Sequence, residues 1–171
     1  MSITPAPVQI TRFTDKESID LTGAVGAMWD GDWGAYEYRW RELAQAPIMV
    51  ILGGLAQLVW LCSKGLMDRH LLPDGDEDAV LAAYDERCKV VPATYGLDPA
   101  MLAEAMEVAL STSYGEQEGG WIVLLSDPDD SMSRLLSAAA TLVAWLADSQ
   151  DMDRDRLFKS LVGSCPVPRP V

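Results

Sequence analysis

The stretch Ile48–Cys62, IMVILGGLAQLVWLC, carries no formal charge and decides the fold. Arg41 and Glu42 stand before it and Lys64 after it. It runs to 15 residues, whereas a bilayer-spanning helix needs about 20. Gln57 interrupts it and Gly53-Gly54 weaken it further. It therefore reads as a helix buried inside a protein core, and no membrane association is expected. Its first five residues, Ile48–Leu52, are rich in strand formers, but the apolar character continues past the glycines to Leu61, which favours a helix by length.

A second segment answers it. Asp127-Pro128, or Ser131, is suited to cap a helix that runs to about Ser149. Its middle, Ala138–Leu146, is apolar nearly all round, and its small residues allow a neighbour to come close. These two segments, roughly 47–69 and 131–148, are expected at the centre. Around them the spacing predicts amphipathic helices over Asp76–Val91, from Asp98-Pro99 to before Gly115, and over Asp153–Val162 with Gly163 just past its end. Trp121–Leu125, after Gly119-Gly120, reads equally as strand or helix.

The ends differ in character. Val8, Ile10 and Phe13 allow an extended arm or an edge strand. The tail Pro166–Val171 cannot continue a helix and is expected extended, ordered only if docked. The division is an N-terminal arm over 1–14, one helical domain over 15–163 and a proline-rich tail over 164–171. The fold class is all-α, an irregular bundle of about six helices with two central apolar ones. The alternative is α+β, with a small edge sheet made by 8–13 and 121–125.

Composition narrows the chemistry. The chain has 171 residues with 26 Asp and Glu against 13 Lys and Arg, a formal net charge of −13. Direct binding to nucleic acid is disfavoured, because that needs clustered positive charge. A single histidine, His70, rules out a site built from two or more imidazoles of this chain. His70 reads instead as a cation near a helix C-terminus. No nucleophile-elbow, phosphate-loop or zinc-protease motif occurs. The cysteines Cys62, Cys88 and Cys165 are widely spaced and read as small buried hydrophobes in a reducing cytoplasm; the alternative is a reactive thiol, for which Cys165, before Pro166, is the most exposed candidate. Asp74, Asp76 and Asp78 begin a calcium-loop spacing, but Ala79 and Asp85 then occupy the places of its glycine and glutamate. Asp151, Asp153 and Asp155 fail in the same way, so no metal or other cofactor is expected.

The segment Trp29–Trp40, WDGDWGAYEYRW, holds five of the chain's 13 aromatic residues. In a continuous helix Trp29, Trp33, Tyr36 and Trp40 would share one face; Gly31 and Gly34 disfavour a helix by up to about 1 kcal/mol each, so a loop carrying the aromatics is the alternative. Such a row is either the core stripe of an ordinary helix or a set of anchors for a partner. The leading functional expectation is a non-enzymatic acidic interaction protein, an adaptor, chaperone or regulatory inhibitor, engaging a basic protein partner through these four rings. A variant is a mimic of nucleic acid with rows of carboxylates. The alternative is a small-molecule-binding helical domain with a pocket lined by Met49, Trp60, Met106 and Trp145. A further alternative is a homo-oligomeric structural component with Ile48–Leu61 as its interface.

Overall fold

The computed structural model describes residues 8–73, 78–80, 82, 83, 86 and 127–170. The chain is an all-α bundle of about six helices with one small two-stranded sheet. In chain order the elements are β1 (Val8–Thr11), α1 (Asp15–Asp30), α2 (Trp33–Leu43), α3 (Ile48–Asp68), α4 (Pro128–Ser149), α5 (Arg154–Ser164) and β2 (Val167–Pro170). Residues 78–80 are also helical. The helix expected from Asp98 and the ambiguous run 121–125 lie outside the described residues.

Helix α3 is the centre, packed chiefly on α4 and crossed by β2. Val50 through Ala56 are buried without a break, so the helix is enclosed on every side along two turns. It is 21 residues long, with a mean hydropathy of 1.6 in its most apolar window, enough by length and composition to cross a membrane. Within that window 61% is buried against the rest of the chain, the behaviour of a core helix. Each buried leucine or isoleucine here contributes about 1.5–3 kcal/mol of transfer free energy. Buried hydroxyls close on their own helix: Ser63 Oγ donates to Val59 O at 2.8 Å and Thr141 Oγ1 to Ser137 O at 2.9 Å.

Close approaches are made at glycines. A Cβ on Gly54 would overlap the ring of Phe13, whose tip reaches the α3 backbone at that point. At Gly65 a Cβ would stand 3.2 Å from Leu146 Cδ2 of α4. Glycine in these two places lets a ring and a leucine reach the helix backbone.

Helix termini follow the local signals. Asp127 caps α4, accepting from Asp130 N at 3.2 Å, with Pro128 in the first turn. Asp153 caps α5, accepting from Arg156 N at 2.9 Å. Thr14 and Glu17 form a reciprocal capping box at the start of α1, a T-x-x-E signature legible in the sequence. The expected stop at Gly163 is wrong: α5 runs through it to Ser164 and ends at Cys165, ahead of Pro166. At the end of α3 the C-cap is Arg69, and His70 is an exposed turn residue with φ 60°.

The tail is docked. β2 pairs antiparallel with β1, with Val8 opposite Pro170, Gln9 opposite Arg169, Ile10 opposite Pro168 and Thr11 opposite Val167. The small sheet thus pairs 8–11 with 167–170, and the alternative strand at 121–125 lies outside the described residues. Val167 is buried, while Ile10 on the other face is 64% exposed.

Candidate functional site

The aromatic segment does not form one helix. Gly31 takes the left-handed conformation, φ 70°, and its N–H reaches Met28 O at 3.2 Å. Asp32 N–H closes on Ala27 O at 2.9 Å, and the Asp32 carboxylate then accepts from Ala35 N at 3.1 Å. A left-handed glycine followed by an acidic N-cap ends one helix and starts the next within two residues. The chain reverses there, and α2 packs antiparallel on α1. The expectation of a single stripe is therefore corrected: Trp29 belongs to α1, and Trp33, Tyr36 and Trp40 belong to α2.

The four rings have different surroundings. Trp29 is half-buried, donates from Nε1 to Ala140 O of α4 at 3.1 Å, and meets Phe158 edge-on with centroids 6.2 Å apart. Trp33 and Tyr36 stack edge to face at 5.7 Å, and Tyr36 and Trp40 follow at 6.0 Å. Burial pushes the Tyr36 hydroxyl up from its ordinary pKa, against the opposing effect of a hydrogen bond with Ser133 of α4. Tyr36 and Trp40 lean on the core, but Trp33 is 46% exposed and Tyr38 58%. Arg39 lies over the Tyr38 ring, 5.4 Å from its centre. Only Leu43 of the whole helix is buried.

Charge pairs also link α2 to α1. Asp20, buried, receives Lys16 Nζ at 3.0 Å and Arg39 Nη1 at 3.1 Å, and Lys16 also reaches Glu42 at 2.8 Å. Hydrogen bonds to Glu42 and Asp20 raise the Lys16 pKa above its ordinary value. Arg39 reaches Asp20 across Gly23, where a Cβ would stand 2.6 Å from its Nε. Charges of both signs flank the exposed rings. Asp32 precedes Trp33 and Glu37 follows it by one turn, both exposed, with Glu37 held by Arg41 Nη2 at 2.7 Å. Asp129, also exposed, lies one turn before Ser133, the Tyr36 partner.

Three of the four residues expected to line a ligand pocket lie among the described residues. Met49 is exposed in the first turn of α3, and Trp60 lies three turns on, about 16 Å along the axis. Trp60 and Trp145 are half-buried against the core, and Met106 lies outside the described residues. An open groove of about 430 Å³ does occur elsewhere, at Met67, His70, Leu71, Leu72 and Pro73 beyond the end of α3. The Ile48–Leu61 stretch is mostly buried within the chain and offers little surface for a second copy.

Among the described residues no three His, Cys, Asp or Glu side chains converge as a metal site. Cys165 is buried, as the leading reading of the cysteines expects and against the alternative of an exposed reactive thiol, because β2 brings it against α3, where its thiol faces Gly54 O at 3.6 Å. Burial pushes the Cys62 and Cys165 thiols up to about 12, which leaves them protonated and unreactive at neutral pH. Two polar clusters escaped the sequence reading: Asp20 with Lys16 and Arg39, and Glu17 with Arg169. The i,i+4 spacing of Lys16 and Asp20 is a signal that finds half of the first. Nothing local points to the second, whose members are 152 residues apart. Comparison with protein-family models, with curated proteins and with solved structures found no match.

Proposed function

We propose that this chain is a non-enzymatic acidic interaction protein, an adaptor, chaperone or regulatory inhibitor, that engages a basic protein surface through α2. The observation that carries this reading is the poor burial of that helix. Eleven residues rich in aromatics bury only Leu43, while Trp33 and Tyr38 remain 46% and 58% exposed. An indole held edge-on by Tyr36 is already ordered, so it can fill a partner's pocket at little cost in side-chain entropy. Asp32 beside it is exposed and carries the negative charge that a Lys- or Arg-bearing surface would meet, Glu37 being paired with Arg41 at 2.7 Å, and the net charge of −13 steers such a partner inward. Trp33 is the proposed anchor, with Tyr36 and Trp40 as its support and Trp29 as the link to the core.

The test is affinity capture from the native lysate with the wild-type chain, Trp33→Ala and a surface control, Met152→Ala. The reading requires a captured protein that is lost with Trp33→Ala, kept with Met152→Ala, and released as salt is raised. Capture unchanged by Trp33→Ala would overturn it.

A further inference from the structure

The two strands joining the chain ends have unlike outer edges. In an antiparallel pair, opposite residues alternate between those that exchange both backbone hydrogen bonds and those whose N–H and C=O point away. Pro168 and Pro170 have no N–H, so the exchanging pairs are Gln9 with Arg169 and Thr11 with Val167. Both prolines therefore stand on the outward side of β2 and close that edge. On β1 the outward groups belong to Val8 and Ile10. The sheet has two strands, and among the described residues no backbone partner meets Ile10 N–H or C=O. Ile10 is also the most exposed large apolar side chain described, at 64%.

We propose that two copies of this chain pair through β1, antiparallel about a twofold axis at Gln9, to form a four-stranded sheet β2–β1–β1–β2. Val8 of each copy then stands opposite Ile10 of the other, and the two pairs exchange four backbone hydrogen bonds. Three features favour a second copy as the occupant. Val8-Gln9-Ile10-Thr11 carries no charge in a chain of net charge −13, so like copies meet here without local repulsion. The sequence is self-complementary about Gln9, as an isologous contact requires. The proline-closed edge of β2 stops growth at two copies, where two open edges would give a fibre.

A four-residue strand buries little area, so the dimer is weak and is read at high concentration. The experiment is sedimentation equilibrium of the full chain from about 5 to 500 µM at low and high salt, the range in which small interfaces associate. The expected result is a weight-average mass rising from 18.7 kDa toward twice that value. Salt should strengthen the association by screening the two negative bodies, whereas it should weaken the basic partner's hold on α2. Ile10→Pro removes the outward N–H without touching the inner ladder, and should hold the chain at the monomer mass with its thermal midpoint little changed. Ile10→Lys, which keeps the backbone donor and opposes the edge with charge, should do the same if the proline variant folds poorly. A monomer throughout, or self-association undiminished in both variants, overturns the proposal and leaves the reading of α2 standing.

Discussion

Arg169 grips Glu17 as a two-pronged fork: Nη1 donates to Oε2 at 3.2 Å and Nη2 to Oε1. The same guanidinium donates from Nε to Thr11 Oγ1 at 2.9 Å and from Nη2 to Arg12 O at 3.1 Å. Glu17 also accepts from Thr14 N at 2.9 Å, closing the cap of α1. One buried carboxylate thus joins the start of the first helix to the last strand. Burial by itself would raise its pKa, but hydrogen bonds from Arg169 and from Thr14 N–H outweigh that and hold it below the ordinary 4.5.

The sign of the pH effect follows. A carboxylate with a lowered folded pKa contributes stability that is fully present above about 4.5 and lost as pH falls through the folded value. Arg169→Met should cost about 2–3 kcal/mol at pH 7, since it leaves Glu17 buried beside a missing cation. Denaturant titrations should show that gap to the wild type narrowing below about pH 4.5. A gap that is constant from pH 7 to pH 3 would remove Glu17 as the responsible group.

Gly54 and Phe13 should behave as a coupled pair. Gly54→Ala drives a methyl into the ring and is expected to lower stability by about 1–3 kcal/mol, as overpacking does. In a Phe13→Ala background the same change should cost little, because the space is vacated. A double-mutant cycle from urea midpoints measures this, and equal costs in both backgrounds would show that the ring is not seated on α3.

The central pair α3 and α4 was legible because each segment is apolar on nearly all faces and α4 carries the Asp127-Pro128 start signal, which the structure places at the helix boundary. The break at Gly31 was half legible: Gly31 and Gly34 weaken a helix there, but the aromatic spacing is helical across the break and hides that Gly31-Asp32 is a C-cap followed by an N-cap. At the ends the extended arm and extended tail were legible, but their pairing with each other was not. Pro168 and Pro170 argue against a strand by propensity, and only the pairing with β1 turns both imino nitrogens outward, where no donor is needed. Burial of Cys165 agrees with the reading of the cysteines as small buried hydrophobes, though the docking that brings it against α3 has no local signal.

The thiols give an independent check on the docked tail. With values pushed up to about 12, roughly one Cys62 or Cys165 in ten thousand is a thiolate at pH 8. Iodoacetamide at pH 8 should leave the peptides bearing both residues unmodified in the folded chain and alkylate them once guanidinium is added. Because a raised thiol pKa favours the folded state only while the group stays protonated, stability should also fall as pH rises above the ordinary 9.0. Rapid native alkylation of Cys165 would mean that β2 does not cover it.

Trp29 and Trp33 should separate core from anchor. Trp29 packs on Phe158 and donates to a carbonyl in the middle of α4, so Trp29→Ala removes apolar contact and leaves a gap between α1, α4 and α5. The cost should be about 2–4 kcal/mol, below the full value for a completely buried ring because Trp29 is only half-buried. Trp33→Ala gives up an exposed indole and one edge-to-face contact with Tyr36, and should cost less than about 1 kcal/mol. Tyr36→Phe lies between them, losing the hydrogen bond with Ser133 for about 1 kcal/mol. Chemical denaturation of the three variants orders these costs, and partner capture should follow the reverse order, abolished by Trp33→Ala and retained by Tyr36→Phe. If Trp33→Ala proved as destabilising as Trp29→Ala, Trp33 would be a structural ring of the bundle, and α2 would offer no anchor to a partner.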